Sequence, residues 1–190
     1  MTNIAIVVHS GYGHTKRMAE YVQTGVTKAG ATAHFLTIDE HGDLQAEAWE
    51  ALAAADGIIF GAPTYMGGPS WQFKKFADAS SKPWFGQAWK DKFAAGFTNS
   101  ATMNGDKFST ITYFVTLAMQ HGMAWVGTGM MPSNTKAATR ESLNYVGGFT
   151  GALAQSPSDS SPAEMFDGDL LTAETFGERV AKFVASHKKA

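Results

Sequence analysis

Apolar runs alternate with helix-periodic stretches along the whole 190-residue chain. Ile4–Val8 is a continuous apolar run stopped by His9-Ser10-Gly11, the signature of a strand buried on both faces. From His14 the period lengthens: Met18, Tyr21, Val22, Gly25, Val26 and Ala29 fall on one helix face before Gly30 ends it. Ala33–Ile38 reads as a second strand, and Leu44–Ala55 as a short Ala-rich helix. Gly57–Phe60 is a third buried strand, with a sharp stop expected at Gly61-Ala62-Pro63. A helix over Trp71–Ala79 packs Trp71, Phe73 or Phe76, and Ala77. Lys92–Phe97 is the fourth strand, and Lys107–Gln120 an amphipathic helix turning Phe108, Ile111, Val115 and Ala118 inward. Met123–Val126 is the fifth strand, and Phe176, Val180, Phe183 and Val184 mark a closing helix. Strands alternating with helices imply right-handed crossovers and a parallel sheet covered on both faces. Gly127–Leu171 has no sustained period and reads as an extended excursion, a length usually kept for function. No linker divides the chain, so residues 1–190 are expected to form a single domain.

Composition narrows the function. A 44% hydrophobic, 17% charged chain buries a core, and a net charge of −2 without like-charge blocks offers no nucleic-acid stripe or polybasic membrane patch. The absence of cysteine removes disulfides, thiol nucleophiles and thiolate metal sites. No signal or span is evident, so a cytoplasmic location is expected. The six histidines share no metal-binding spacing, so no metal is expected.

In such sheets, ligands sit beyond the carboxyl ends of the strands. Ser10-Gly11-Tyr12-Gly13-His14-Thr15 joins a buried strand to a helix N-terminus, where backbone N–H groups and the helix dipole favour an anion. Its flanking hydroxyls suit a phosphate monoester. A dinucleotide fingerprint is disfavoured because Lys16 stands where the third glycine belongs, and no Walker loop exists. Gly61-Ala62-Pro63-Thr64-Tyr65-Met66-Gly67-Gly68 can lay rigid backbone against a flat ring, and Thr98-Asn99-Ser100 through Gly105 offers polar groups to its edge.

Ser10-Gly-Tyr-Gly-His14, Gly61-Ala-Pro-Thr-Tyr-Met-Gly67, and Phe97-Thr-Asn-Ser100 through His121-Gly122-Met123 resemble the tryptophan-repressor-binding-protein type of NAD(P)H:quinone oxidoreductase, a group of flavodoxin-like flavoproteins. The resemblance covers nearly the whole chain. It implies a three-layer, doubly wound α/β fold, with a five-stranded parallel sheet of order 2-1-3-4-5 and noncovalent FMN. By the resemblance, Ser10, Gly11, Tyr12, Gly13, His14 and Thr15 hold the phosphate. Pro63, Thr64, Tyr65, Met66 and Gly67, with Thr98, Asn99, Ser100 and Gly105, border the isoalloxazine. His121 reaches the flavin as a candidate catalytic group on a quinone oxygen, although a helix C-terminal histidine has the same place in the sequence. Tyr12 and Trp84 line the open face for nicotinamide and quinone, with Trp84 equally readable as a loop plug. Tyr65 replaces a basic residue common in the family, Met103-Asn104 interrupt its glycine-rich loop, and the segment after strand two is short.

Two functions compete. One is an FMN-dependent oxidoreductase passing hydride from NADH or NADPH to a quinone in a two-electron ping-pong cycle. The alternative is a non-enzymatic flavodoxin-type electron carrier, which is typically far more acidic than −2. The excursion and the aromatic stretch Trp84–Trp89 suggest apolar surface that a homotetramer, or alternatively a homodimer, would cover.

Overall fold

The computed structural model describes residues 1–188. Its strands are β1 (Asn3–Val8), β2 (Thr32–Thr37), β3 (Gly57–Tyr65), β4 (Gly68–Pro69), β5 (Phe93–Ser100), β6 (Ala124–Trp125) and β7 (Ala152–Gln155). The helices are α1 (His14–Lys28), α2 (Ala46–Ala54), α3 (Trp71–Ala79), α4 (Ser81–Phe85), α5 (Lys107–Gln120) and α6 (Asp167–His187), with a 3-10 turn at Pro162–Glu164. The main sheet is parallel, in the order β2-β1-β3-β5-β6. With β4 set aside as a hairpin arm of β3, that is the expected order 2-1-3-4-5.

The pleat sorts the core. Ile4, Ile6 and Val8 face α1 and α6, where Met18, Val22, Val26, Phe176, Val180 and Val184 are buried. Ala5 and Val7 face the other layer, with Leu52, Phe60, Phe73, Phe76 and Phe114. Aromatic edges interlock there: Phe73 lies 4.7 Å from Phe114 and 5.4 Å from Phe76.

Four expectations need correction. First, the third strand does not stop at Gly61. β3 runs on to Tyr65, pairing Ala62 with Thr98 and Pro63 with Asn99, while β1 contributes no partner beyond Gly61. Pro63 therefore sits where its missing N–H breaks no ladder on the β1 side. Second, the excursion is not continuous. β6 pairs Phe93–Ala94 and β7 pairs Phe97–Ser100, so one edge of β5 is shared by two short strands with residues 126–151 looped out between them. α6 then begins at Asp167, inside the stretch read as loop. Third, Phe108 and Trp71 are exposed; α5 turns Lys107, Thr110, Ile111, Phe114, Leu117 and Ala118 inward. Fourth, within Trp84–Trp89 the surface is uneven, because Phe85 is exposed and Trp89 is buried. No described helix is long and apolar enough to cross a membrane.

Candidate functional site

The carboxyl ends of β1, β3, β5 and β7 open onto a cleft of about 520 Å3, within the range of small-molecule sites. One end is the start of α1. Gly13, at φ 92°, closes the turn, and its N–H donates to Ser10 Oγ at 3.1 Å. No side chain caps α1 and no acidic residue stands in its first turn, so the positive end of a 15-residue helix faces the cleft uncompensated. Thr15 is buried yet borders the cavity. Gly13 is demanded by its left-handed φ, and a Cβ there would also lie 2.8 Å from Pro162 Cγ; a Cβ on Gly11 would lie 2.6 Å from Tyr65 Oη and push that ring aside.

The side walls come from β3 and β5. Pro63, Thr64 and Tyr65 form one, with Tyr12 meeting Tyr65 edge to face at 6.1 Å. Asn99, Ser100 and Ala101 form the other. Ser156 Oγ donates to Asn99 Oδ1 at 3.0 Å, which leaves the Asn99 NH2 available as a donor. Hydroxyl chemistry beneath the floor is fully committed. Thr98 donates to the Ala62 carbonyl at 2.7 Å, so Thr64 donates to Thr98 at 2.9 Å and Thr110 to Thr64 at 2.8 Å.

Sequence reading missed the fourth wall, Ser156, Pro157, Ser158 and Ser160 after β7. His14 Nε2 donates to the Ser160 carbonyl at 2.9 Å and ties this wall to α1. The available signal was the density of serine between two prolines, hidden within a stretch without period. Taken together, the lining contains five serines and two threonines and no Asp, Glu, Lys or Arg. A neutral, hydroxyl-rich pocket at a helix N-terminus fits a phosphate monoester, and the tyrosine pair and rigid β3 end fit a flat ring.

Of the predicted residues, Ser10, Tyr12, His14, Thr15, Pro63, Thr64, Tyr65, Asn99 and Ser100 line the cleft. Gly11 and Gly13 shape its turn. Thr98 lies beneath the cleft floor, fully buried with its hydroxyl spent on Ala62. Met66 and Gly67, both at positive φ, form the exposed tip of the β3–β4 hairpin and do not line the cavity. Gly105, at φ 53°, lies in the following loop against Ser100.

Within one chain, Trp84 and His121 lie away from the cleft. His121 ends α5, just before β6, and therefore lies at the amino edge of the parallel sheet, opposite the cleft. Ser80 Oγ donates to Ala77 O at 2.7 Å, so His121 Nε2–H donates to Ser80 at 2.9 Å and Nδ1 keeps a buried, unpartnered lone pair. The ring lies 4.2 Å from Trp89, and burial pushes its pKa down to about 4. Burial thus keeps His121 neutral at physiological pH. Trp84 stands beside it, its Nε1–H donating to Gln120 O at 3.0 Å.

Comparison with known proteins adds an independent line. The family model described as NADPH-dependent FMN reductase matches residues 3–138. The protein named Flavodoxin FldP from Pseudomonas aeruginosa is 47% identical over 182 residues, covering 96% of each chain. The NAD(P)H dehydrogenase (quinone) of Geobacter sulfurreducens is 33% identical over 204 residues, covering 96% of this chain and 98% of its own. The crystal structure of the flavodoxin, WrbA-like protein from Agrobacterium tumefaciens superposes with a TM-score of 0.79 at 50% identity, covering 99% of this chain and 100% of that one.

Proposed function

The chain belongs to the NADPH-dependent FMN reductase family, as a WrbA-type flavodoxin-like protein, and from that premise we propose that it is an FMN-dependent oxidoreductase acting between NAD(P)H and a quinone or similar electrophile. The observation that carries the reading is the cleft: an uncapped α1 N-terminus, hydroxyls without carboxylates, and a tyrosine-walled slot at the carboxyl ends of the strands. Ser10, Thr15 and the first-turn N–H groups would hold the phosphate. Pro63 to Tyr65 and Asn99 to Ala101 would flank the ring, and exposed Tyr12 would meet the incoming substrate. FMN, when bound, supplies the hydride-accepting and hydride-donating chemistry. The protein binds and orients it, and no side chain of the cleft needs to move a proton.

The reading includes assembly. Trp84 and His121 lie at the wrong edge to meet their own chain's cleft, so in a homotetramer, or a homodimer, they would approach the cleft of another copy. Trp84 at 41% and Phe85 at 86% exposure supply apolar surface for that contact. An electron-carrier reading has a specific observation in its favour, the relative named flavodoxin at 47% identity.

One experiment separates them. Purified protein is loaded with FMN, mixed anaerobically with NADH or NADPH, and then assayed with a quinone at varied concentrations of both substrates. The enzyme reading expects rapid bleaching of the flavin and parallel double-reciprocal lines, because both substrates use one open face in turn. Bound FMN that free NAD(P)H reduces only negligibly would favour the carrier. Absence of FMN binding would end both readings.

A further inference from the structure

Lys107 is the buried charge that the site leaves unexplained. It is the first residue of α5 and is 1% exposed, a position lysine takes only when its ammonium is satisfied. Its Nζ donates to three successive carbonyls of the loop after β5: Thr102 at 2.7 Å, Met103 at 2.8 Å and Asn104 at 3.3 Å. In a planar trans peptide, each following N–H points opposite its carbonyl. Gathering the three oxygens around one ammonium therefore turns the N–H groups of Met103, Asn104 and Gly105 away from it. No hydrogen bond among the described residues uses those three groups as donors.

The charge is tied into the cleft from behind. Asp169, itself 1% exposed, accepts from the Gln155 N–H at 2.8 Å and from Arg140 Nη2 at 2.6 Å, and its carboxylate favours the Lys107 ammonium. Asp169 thus ties the looped-out segment, through Arg140, to the strand before Ser156, while Lys107 holds the loop after β5. Both Ser100–Ala101 and Ser156 are cleft walls. Burial lowers Lys107 to about 8, so it stays charged at neutral pH.

We propose that Lys107 is a positioning residue of the cofactor cleft: it fixes the loop Ala101–Gly105 in one shape, steadies the Ser100–Ala101 wall through the Thr102 carbonyl that Ser100 Oγ shares with it, and sets a positive charge behind that wall. The inference rests on the reading that the cleft takes FMN. A flavin gains negative charge on its pyrimidine edge when it is reduced. A cation held behind a wall of the ring slot would favour the reduced form over the oxidised one.

The test measures FMN affinity by titrating apo-protein and follows the two-electron midpoint by equilibration with a reference dye. The proteins are wild type, Lys107→Met, Lys107→Gln and Lys107→Arg, each checked for fold by circular dichroism. Lys107→Met should weaken FMN at least tenfold. Its midpoint should fall by about 30 mV for each tenfold by which the reduced form is weakened beyond the oxidised form. Lys107→Arg should restore both to within threefold, and Lys107→Gln replaces Lys107→Met should the latter not fold. A folded neutral variant with wild-type affinity and midpoint overturns the proposal. So does a variant that loses thermal stability while both readouts stay put, which marks Lys107 as structural only. Wild-type protein that takes no FMN defeats the cofactor reading, and this inference with it. Wild type that binds FMN while Lys107→Met matches it defeats this inference alone.

Discussion

Helices α1 and α6 cross through two glycines. A Cβ on Gly25 would lie 2.7 Å from Glu178 N and closer still to the Glu174 carbonyl oxygen. A Cβ on Gly177 would lie 2.9 Å from Val22 C and closer still to its oxygen. These are backbone atoms, so no side chain can yield; Gly25→Ala must part the helices by on the order of 1 Å. A gap of that size forfeits roughly a quarter to a half of the dispersion energy across the contact. The contact includes Met18, Val22, Val26, Phe176 and Val180, all fully or almost fully buried. Overpacking of this kind costs about 1–3 kcal/mol or more, and the better helix propensity of alanine returns about 1 kcal/mol. The clash is with backbone, so the upper end of that cost applies, and a net loss of about 2 kcal/mol is expected for Gly25→Ala or Gly177→Ala alone. Because one separation of the helices makes room for both methyls, the double variant should lose less than the sum, with a coupling of about 1 kcal/mol or more. Urea unfolding of the four apo-proteins provides the cycle. Either single variant matching or exceeding wild-type stability would show that the helices do not cross backbone to backbone, and strict additivity would show that the two contacts do not share one displacement.

Two further outcomes follow from the cleft and the opposite edge. If Thr15 and Ser10 hold the phosphate as proposed, Thr15→Val and Ser10→Ala should each weaken FMN by about 1–3 kcal/mol, read by titration of apo-protein; unaltered affinity in both would misplace the phosphate. His121, with its pKa lowered from 6.5 to about 4, binds a proton less readily when folded than when unfolded. Its contribution is complete above pH 6.5 and is lost as pH falls toward 4, a change of about 3 kcal/mol. His121→Gln should therefore lack that part of the acid limb seen in wild type, and parallel acid limbs in urea unfolding would refute the assignment.

The order of elements was legible because the sheet is parallel and buried on both faces, which writes strands as uninterrupted apolar runs. The split of the fifth strand was not. Ala152–Gln155 is four residues with no β-branched side chain, set between glycine-rich and serine-rich segments. It is a strand only because β5 runs beyond the end of β6 and leaves its carboxyl half unpaired. The wall Ser156–Ser160 was lost with it, since a loop can be placed at the cleft only after the strand before it is found.

His121 and Lys107 carry a common lesson about register and direction. In a parallel sheet, a residue in the turn that enters a strand lies at the edge opposite to one in the turn that leaves it. His121 precedes β6 and Ser10 follows β1, so their separation within one chain was implicit in the sequence once both strands were recognised. Lys107 was concealed by a shift of one residue. The inner stripe of α5 is 107, 110, 111, 114, 117 and 118, a regular helical spacing that begins with a lysine. Taking Phe108 as the start instead follows the stronger hydrophobe, rotates the helix by about 100° per residue, and turns the charge toward solvent. The structure resolves the conflict against the aromatic ring: Phe108 is exposed at 67%, and Lys107 goes inside because three carbonyls wait for its ammonium. A polar residue holding an apolar register was therefore the strongest sign in this helix that something beyond packing had fixed its place.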